Sequence, residues 1–358
     1  MAIWWRSFAI LCVSLILSGC SGGVFYAGAL PEASAPDPPL TLLWQQKMDA
    51  APLGPAVDAG SLLLQLSARA TLYAYDLYSG ERVGKRGYDN EVCSAPTVAG
   101  DLVMVSTLGE DAAVVAWDRR AQKERWRHEG TFCLETVVRG DTAYVAGESG
   151  SLHALDLGSG KELWQQKLEV RLRVAPVVAD EQVLLGDGKG MLYALGRFDG
   201  EEIWRQDLES GVRTAVLVGE DRLWVGTAAG RIVALEKASG KVLWQVELAA
   251  LPTKNLALTA GVLAVGTADR HVYGLDLASG QERWRFETQG AVRSSPVAVA
   301  NAFYCASSDE YLYALEAGTG QLLWKFRLEG PIIESIALVG QNVAVATEKK
   351  MLYVFGRR

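Results

Sequence analysis

Tryptophan recurs at a fixed interval in this chain: Trp164, Trp204, Trp244, Trp284 and Trp324 are 40 residues apart, and Trp126 precedes them by 38. The surrounding residues repeat with it. Leu152-His153-Ala154-Leu155-Asp156 leads to Ser159-Gly160 and Trp164, and Leu312-Tyr313-Ala314-Leu315-Glu316 leads to Thr319-Gly320 and Trp324. A period of this length dictates architecture before any local motif is considered, because one unit can bury its apolar face only against its neighbours.

Within a unit the apolar residues alternate with period two and are bounded by Gly and polar residues, the pattern of short strands joined by tight turns. Ser-Gly, Asp-Gly or Thr-Gly before each Trp supplies a turn, since glycine takes positive φ without a Cβ clash. In one unit the strands fall around Ala95-Pro96-Thr97-Val98, Leu102–Val105, Val114–Trp117 and the Trp-bearing stretch. Four antiparallel strands every 40 residues is the spacing of a β-propeller blade, and residues 40–358 make about eight of them. Gly84 stands where the second Trp is due. The last unit ends at Met351–Phe355 without its Trp strand, while Leu42-Leu43-Trp44 is a Trp strand without its first three. An all-β, eight-bladed propeller is therefore expected, closed by terminal strands that share one blade and leave no free edge. A residue repeated in every blade marks packing rather than one site.

The first residues read as an address. Arg6 precedes an apolar run over residues 7–17, and Leu17-Ser18-Gly19-Cys20 follows, too short a segment for a spanning helix. That tetrapeptide is a lipobox, which makes residues 1–19 a lipoprotein signal peptide and Cys20 the acylated (palmitate-bearing) first residue of the mature chain. An ordinary secretory leader with an incidental Cys20 is the alternative. Ser21, rather than Asp, favours the outer membrane over inner-membrane retention. Residues 20–39 are rich in Gly and Pro and read as a flexible tether holding residues 40–358 off the bilayer. Losing Arg6 lowers the basic count from 35 to 34 against 42 acidic residues, a net charge of −8. An acidic body argues against nucleic acid as a partner.

Cys93, Cys133 and Cys305 remain in an oxidising compartment, one more than can pair internally. Cys93 and Cys133 share a slot in adjacent blades, so a disulfide between them and two free buried thiols are both open. The histidines His128, His153 and His271 show no metal-ligand spacing, and His153 fills the slot of Tyr193, Tyr273 and Tyr313. There is no phosphate-cradling Gly loop, nucleophile elbow or Ser/His/Asp arrangement that the repeat explains less well. No catalytic residue, metal or cofactor is expected.

The repeat Tyr-Ala-Leu-(Asp/Glu)-x-x-(Ser/Thr)-Gly-x-x-x-Trp resembles that of quinoprotein-type, PQQ-like propellers over residues 40–358. Among these, PQQ-dependent dehydrogenases are larger, with long insertions, and many carry vicinal cysteines; this chain has neither. The lipobox, tether and eight short units look instead like the outer-membrane protein assembly lipoproteins of the BamB type. That resemblance implies a non-catalytic scaffold, monomeric within a hetero-complex, which helps insert β-barrels and binds the POTRA domains of the central barrel subunit. A Leu-x-Leu-Arg stretch contributes to that contact in the family, and Val170-Arg171-Leu172-Arg173 lies at the corresponding place. The Gly-x-Ser that usually follows and an acidic loop further on are absent, which keeps a scaffold of another envelope complex as an alternative, beside a quinone dehydrogenase.

In a repeat protein, function is sought where the repeat breaks. Aligned on Gly60, Gly100, Gly140, Asp180, Gly219, Gly261, Ala300 and Gly340, the position seven residues earlier is occupied by Leu53, Cys93, Cys133, Arg173, Val212, Lys254, Arg293 and Ile333, with Arg213 one residue later. A basic arc of Arg171, Arg173, Arg213, Lys254 and Arg293, with Leu172 as an apolar anchor, is the expected partner surface; solvated loop charge is the bland alternative.

Overall fold

The computed structural model describes residues 38–357 apart from Ile333. The described residues contain no helix, and their strands form eight four-stranded antiparallel sheets. Blades 1 to 7 run in chain order: residues 57–87, 97–129, 137–167, 177–207, 217–247, 257–287 and 297–327. Blade 8 takes three strands from residues 337–356 and its outer strand, Thr41–Lys47, from the start of the ring. Thr41 pairs with Gly356 and Lys47 with Met351, so the first and last strands of the ring share one sheet and the expected closure is observed.

Burial follows strand position. The first strand of each blade is only two or three residues long and in most blades touches the first strand of a neighbouring blade, which places it innermost. The two middle strands are almost wholly buried. The outer strand alternates exposed and covered residues, as a strand with one wet face should.

The recurrent Trp joins blade to blade. In most blades, though not at Trp244, the indole Nε1 donates to a carbonyl of the next blade: Trp44 to Leu77 at 2.9 Å, Trp164 to Arg197 at 3.0 Å, Trp204 to Lys237 at 3.1 Å and Trp284 to Ala317 at 2.9 Å. Each ring lies over the turn glycine of that next blade: Gly80, Gly160, Gly200, Gly240, Gly280 and Gly320, all with φ between 69° and 73°. A Cβ added to any of them would come within 2.7 Å of the indole. The glycine is thus required twice, for its backbone and for the ring above it. The acid that precedes it also has a task, since Asp276 Oδ1 accepts from the Ser279 amide and hydroxyl at 2.8 Å each. The one interface that lacks the Trp also lacks the turn glycine. There Gly84 replaces the indole, Gln122 takes the positive φ of 52°, and the Arg86 guanidinium stacks 3.3 Å from the Trp117 ring centre.

Candidate partner-binding rim

The segments that lead from each outer strand into the next inner strand gather at one end of the ring. Backbone bridges set their register: Pro52 to Ser67, Val92 to Thr107, Leu172 to Asp187, Val212 to Thr227 and Pro252 to Thr267. The five bridges keep a strict 40-residue register, and the slot one residue further on, carried through blades 1 to 7, holds Leu53, Cys93, Cys133, Arg173, Arg213, Thr253 and Arg293. Arg213, not Val212, is the counterpart of Arg173, and Lys254 lies one residue beyond the slot. Gly219 and Gly261 are each one residue out of register with the other turns, which is what displaced the sequence alignment there.

Arg171, Arg173, Arg213, Lys254 and Arg293 are all exposed. Their surroundings differ. Arg171 pairs with Glu148, Arg213 Nε donates to the Pro252 carbonyl at 2.6 Å, and Lys254 Nζ lies 3.9 Å from Glu334 of blade 8. Arg173 and Arg293 have no ion partner among the described residues. Leu172 departs from its expected role. Its side chain is fully buried with Val178 and Leu185, because the bridge to Asp187 turns it into the interface between blades 3 and 4. It is removed from the partner surface.

Cys93 and Cys133 are joined by a disulfide with their Cα atoms 5.2 Å apart, the distance that two equivalent slots in neighbouring blades provide. They form one wall of a groove of about 970 Å³ that runs outward to Glu148, Lys167 and Arg171. Cys305 is buried, and burial pushes its thiol pKa up, so it is no nucleophile.

Closer to the axis, hydrogen bonds link equivalent residues of blades 5 to 8. The Ala215 amide donates to Asn255 Oδ1 at 2.9 Å, the Asn255 amide to Ser295 Oγ at 3.3 Å, and Ser295 and Ser335 hydroxyls are 3.1 Å apart. The same register in blade 3 holds Glu135, between Ala95 and Ala175, which have no side chain to answer it. Burial alone pushes its carboxyl up to about 7. Sequence reasoning missed Glu135; comparing occupants of that register across the units was the available signal.

Two more residues assemble unexpectedly. His128, on the outer strand of blade 2, and His153, in blade 3, bring their ring nitrogens to 3.3 Å, and Glu162 reaches His153 at 2.7 Å. Spacing in the sequence concealed this pair because it forms only across a blade interface.

The family model for the outer membrane protein assembly factor BamB matches residues 34–175, 148–257 and 228–357, nearly the whole ring. The chain belongs to that family. No curated protein matches it significantly. The crystal structure of BamB from Moraxella catarrhalis superposes on this BamB-family chain with a TM-score of 0.74 at 17% identity, covering 88% of this chain and 99% of that one. The computationally designed Ika8 protein gives a TM-score of 0.77 at 16% identity, over 87% and 98% of the two chains. A europium-containing methanol dehydrogenase gives 0.74 at 13% identity, over 88% and 93%. At such identities these likenesses concern the fold alone.

Proposed function

We propose that this BamB-family protein is a non-catalytic scaffold, anchored in the outer membrane through lipidated Cys20 and facing the periplasm, which assists β-barrel assembly by presenting its basic rim to POTRA domains. Residues 1–37 lie outside the described structure, so leader, lipid and most of the tether belong to this proposal. The observation that carries the rim assignment is the repeat-breaking slot. Arginine occupies it in blades 4, 5 and 7, exposed each time, on a body whose net charge is negative. Arg173 and Arg293, having no ion partner among the described residues, are available to pair bidentately with carboxylates of another surface.

The test is binding of a purified POTRA fragment to charge-reversed variants. Arg173→Glu and Arg293→Glu are expected to weaken binding about 10–100-fold, or ~1.4–2.8 kcal/mol, with an unchanged melting temperature. Lys161→Glu, beside an outer turn, is the control. Arg82 is unsuitable for that purpose because it pairs with Asp49 at 3.1 Å and lies over the Tyr73 ring. Equal effects at rim and control positions, or saturable micromolar binding of PQQ with Ca²⁺, would overturn the reading.

A further inference from the structure

We propose that His128, His153 and Glu162 form a binding site for a divalent transition-metal ion of the zinc class, bridging blades 2 and 3. His128 Nε2, His153 Nδ1 and a Glu162 carboxylate oxygen all lie within 4.8 Å of one another. The two nitrogens are 3.3 Å apart, and about 3.3 Å is the edge of a tetrahedron whose metal–nitrogen bonds are 2.0–2.1 Å. The third donor, Glu162 Oε2, lies 2.7 Å from His153 Nδ1 and need retreat only a fraction of an ångström to take its corner. Water completes the shell from the open side, where Glu162 is exposed.

Without an ion the arrangement is frustrated. One proton on His153 Nδ1 has to serve both the Glu162 oxygen and the His128 nitrogen, whereas a metal satisfies all three lone pairs at once. Imidazole and carboxylate donors together favour zinc-class ions over Mg²⁺ or Ca²⁺, which take oxygen ligands.

The site also departs from the repeat at three linked positions. Phe286 and Tyr313 occupy the equivalents of His128 and His153 at the interface of blades 6 and 7, and pack edge to face with ring centres 5.5 Å apart. In blades 2, 4 and 6 the equivalent of Glu162 is tied to an arginine three residues on: Glu124–Arg127 at 3.2 Å, Glu202–Arg205 at 3.4 Å and Glu282–Arg285 at 2.7 Å. Blade 3 has Gln165 there, which releases the carboxylate towards the imidazoles. Phe132 lies against both imidazoles, with ring centres 5.4 and 5.0 Å away, and holds their planes. The disulfide joins the same two blades, so the ion would be a second staple across one interface.

The full-length protein in detergent, dialysed free of metal, is to be titrated with Zn²⁺ and, for its visible spectrum, Co²⁺. One ion is expected to bind, with the absorption of a tetrahedral Co²⁺ centre, and to raise the melting temperature. Replacing both rings by the residues other blades carry, His128→Phe with His153→Tyr, should keep the fold. It should lower affinity by more than the roughly 10–100-fold that loss of an outer-shell partner costs. His271→Gln, in blade 6, should change nothing. X-ray absorption of the zinc-loaded wild type is expected to show two imidazoles in the shell, and Glu162→Gln, at an exposed position, to weaken binding without unfolding. These two measurements decide the matter even if the double variant misfolds. No saturable binding, a shell without imidazole, or equal affinity in the variants overturns the site.

Discussion

Glu135 shows how one residue can set a pH dependence. An unfolded glutamate titrates near 4.5, whereas in the fold burial holds Glu135 at about 7. Between those values the folded state binds more protons than the unfolded one, so the stability associated with this group is fully present below pH 4.5. It is lost as pH rises through 7. The residue as a whole is only half-buried, and solvent screening reduces the effect to about 1–2 kcal/mol. Glu135→Gln should therefore raise stability at pH 8 by that amount and leave it almost unchanged at pH 4.5. Thermal melts of wild type and variant across this range check the difference. Turn carboxylates such as Asp76 and Asp156 are held low by their Ser partners, and they cancel in the comparison.

At the scale of the element, the unit of stability is the Trp strand of one blade together with the turn of the next. Gly200 combines a φ of +73° with a Trp164 ring carbon 2.6 Å from where a Cβ would stand. Gly200→Ala should cost about 2–4 kcal/mol, from left-handed backbone strain plus overpacking. Gly140 has a φ of +59° but open space around it, so Gly140→Ala should cost only the backbone share, about 1 kcal/mol. Denaturant melts of the two variants separate these contributions, and equal losses would show that the indole yields freely. The interface between blades 1 and 2 confirms that ring and glycine form one device, since both are replaced there.

For the whole molecule, closure and cross-linking restrain a ring that otherwise holds together by contacts between neighbours. Pairing of Thr41–Lys47 with Met351–Gly356 joins the first and last strands of the ring in one sheet and covers the edge that the last strand would otherwise expose. The Cys93–Cys133 disulfide spans 40 residues, and in the loop-entropy view a bond of that span stabilises by about 3–4 kcal/mol. Cys93→Ser with Cys133→Ser should lower the melting temperature accordingly and remove the sensitivity of the wild type to reductant. Because the bond forms one wall of the groove beside Arg171, loss of POTRA binding in this variant would link rim geometry to the cross-link.

Much of this protein was legible in its sequence because the repeat is strict. The period of Trp and Ser-Gly determined the blade, its four strands and their number. The complementary fragments at Trp44 and Met351 determined closure, since neither could be a blade alone. Arg173 and Arg293 stood out in the sequence as breaks in the repeat, whereas the register of Arg213 and Lys254 came only from the backbone bridges. Tertiary structure decided the rest, because these features are contacts between blades. Leu172 alternates with two exposed arginines, yet a backbone bridge to Asp187 buries it. Lys254 stands beside Glu334, 80 residues away in the chain. Glu135 is set apart from a surface glutamate by its burial, in a register where the neighbouring units carry Ala95 and Ala175. His128 and His153 share no motif spacing and meet because the outer strand of blade 2 brings its ring up to the third strand of blade 3. A repeat specifies each unit through local pattern, but the chemistry at an interface depends on which two different residues the ring makes adjacent.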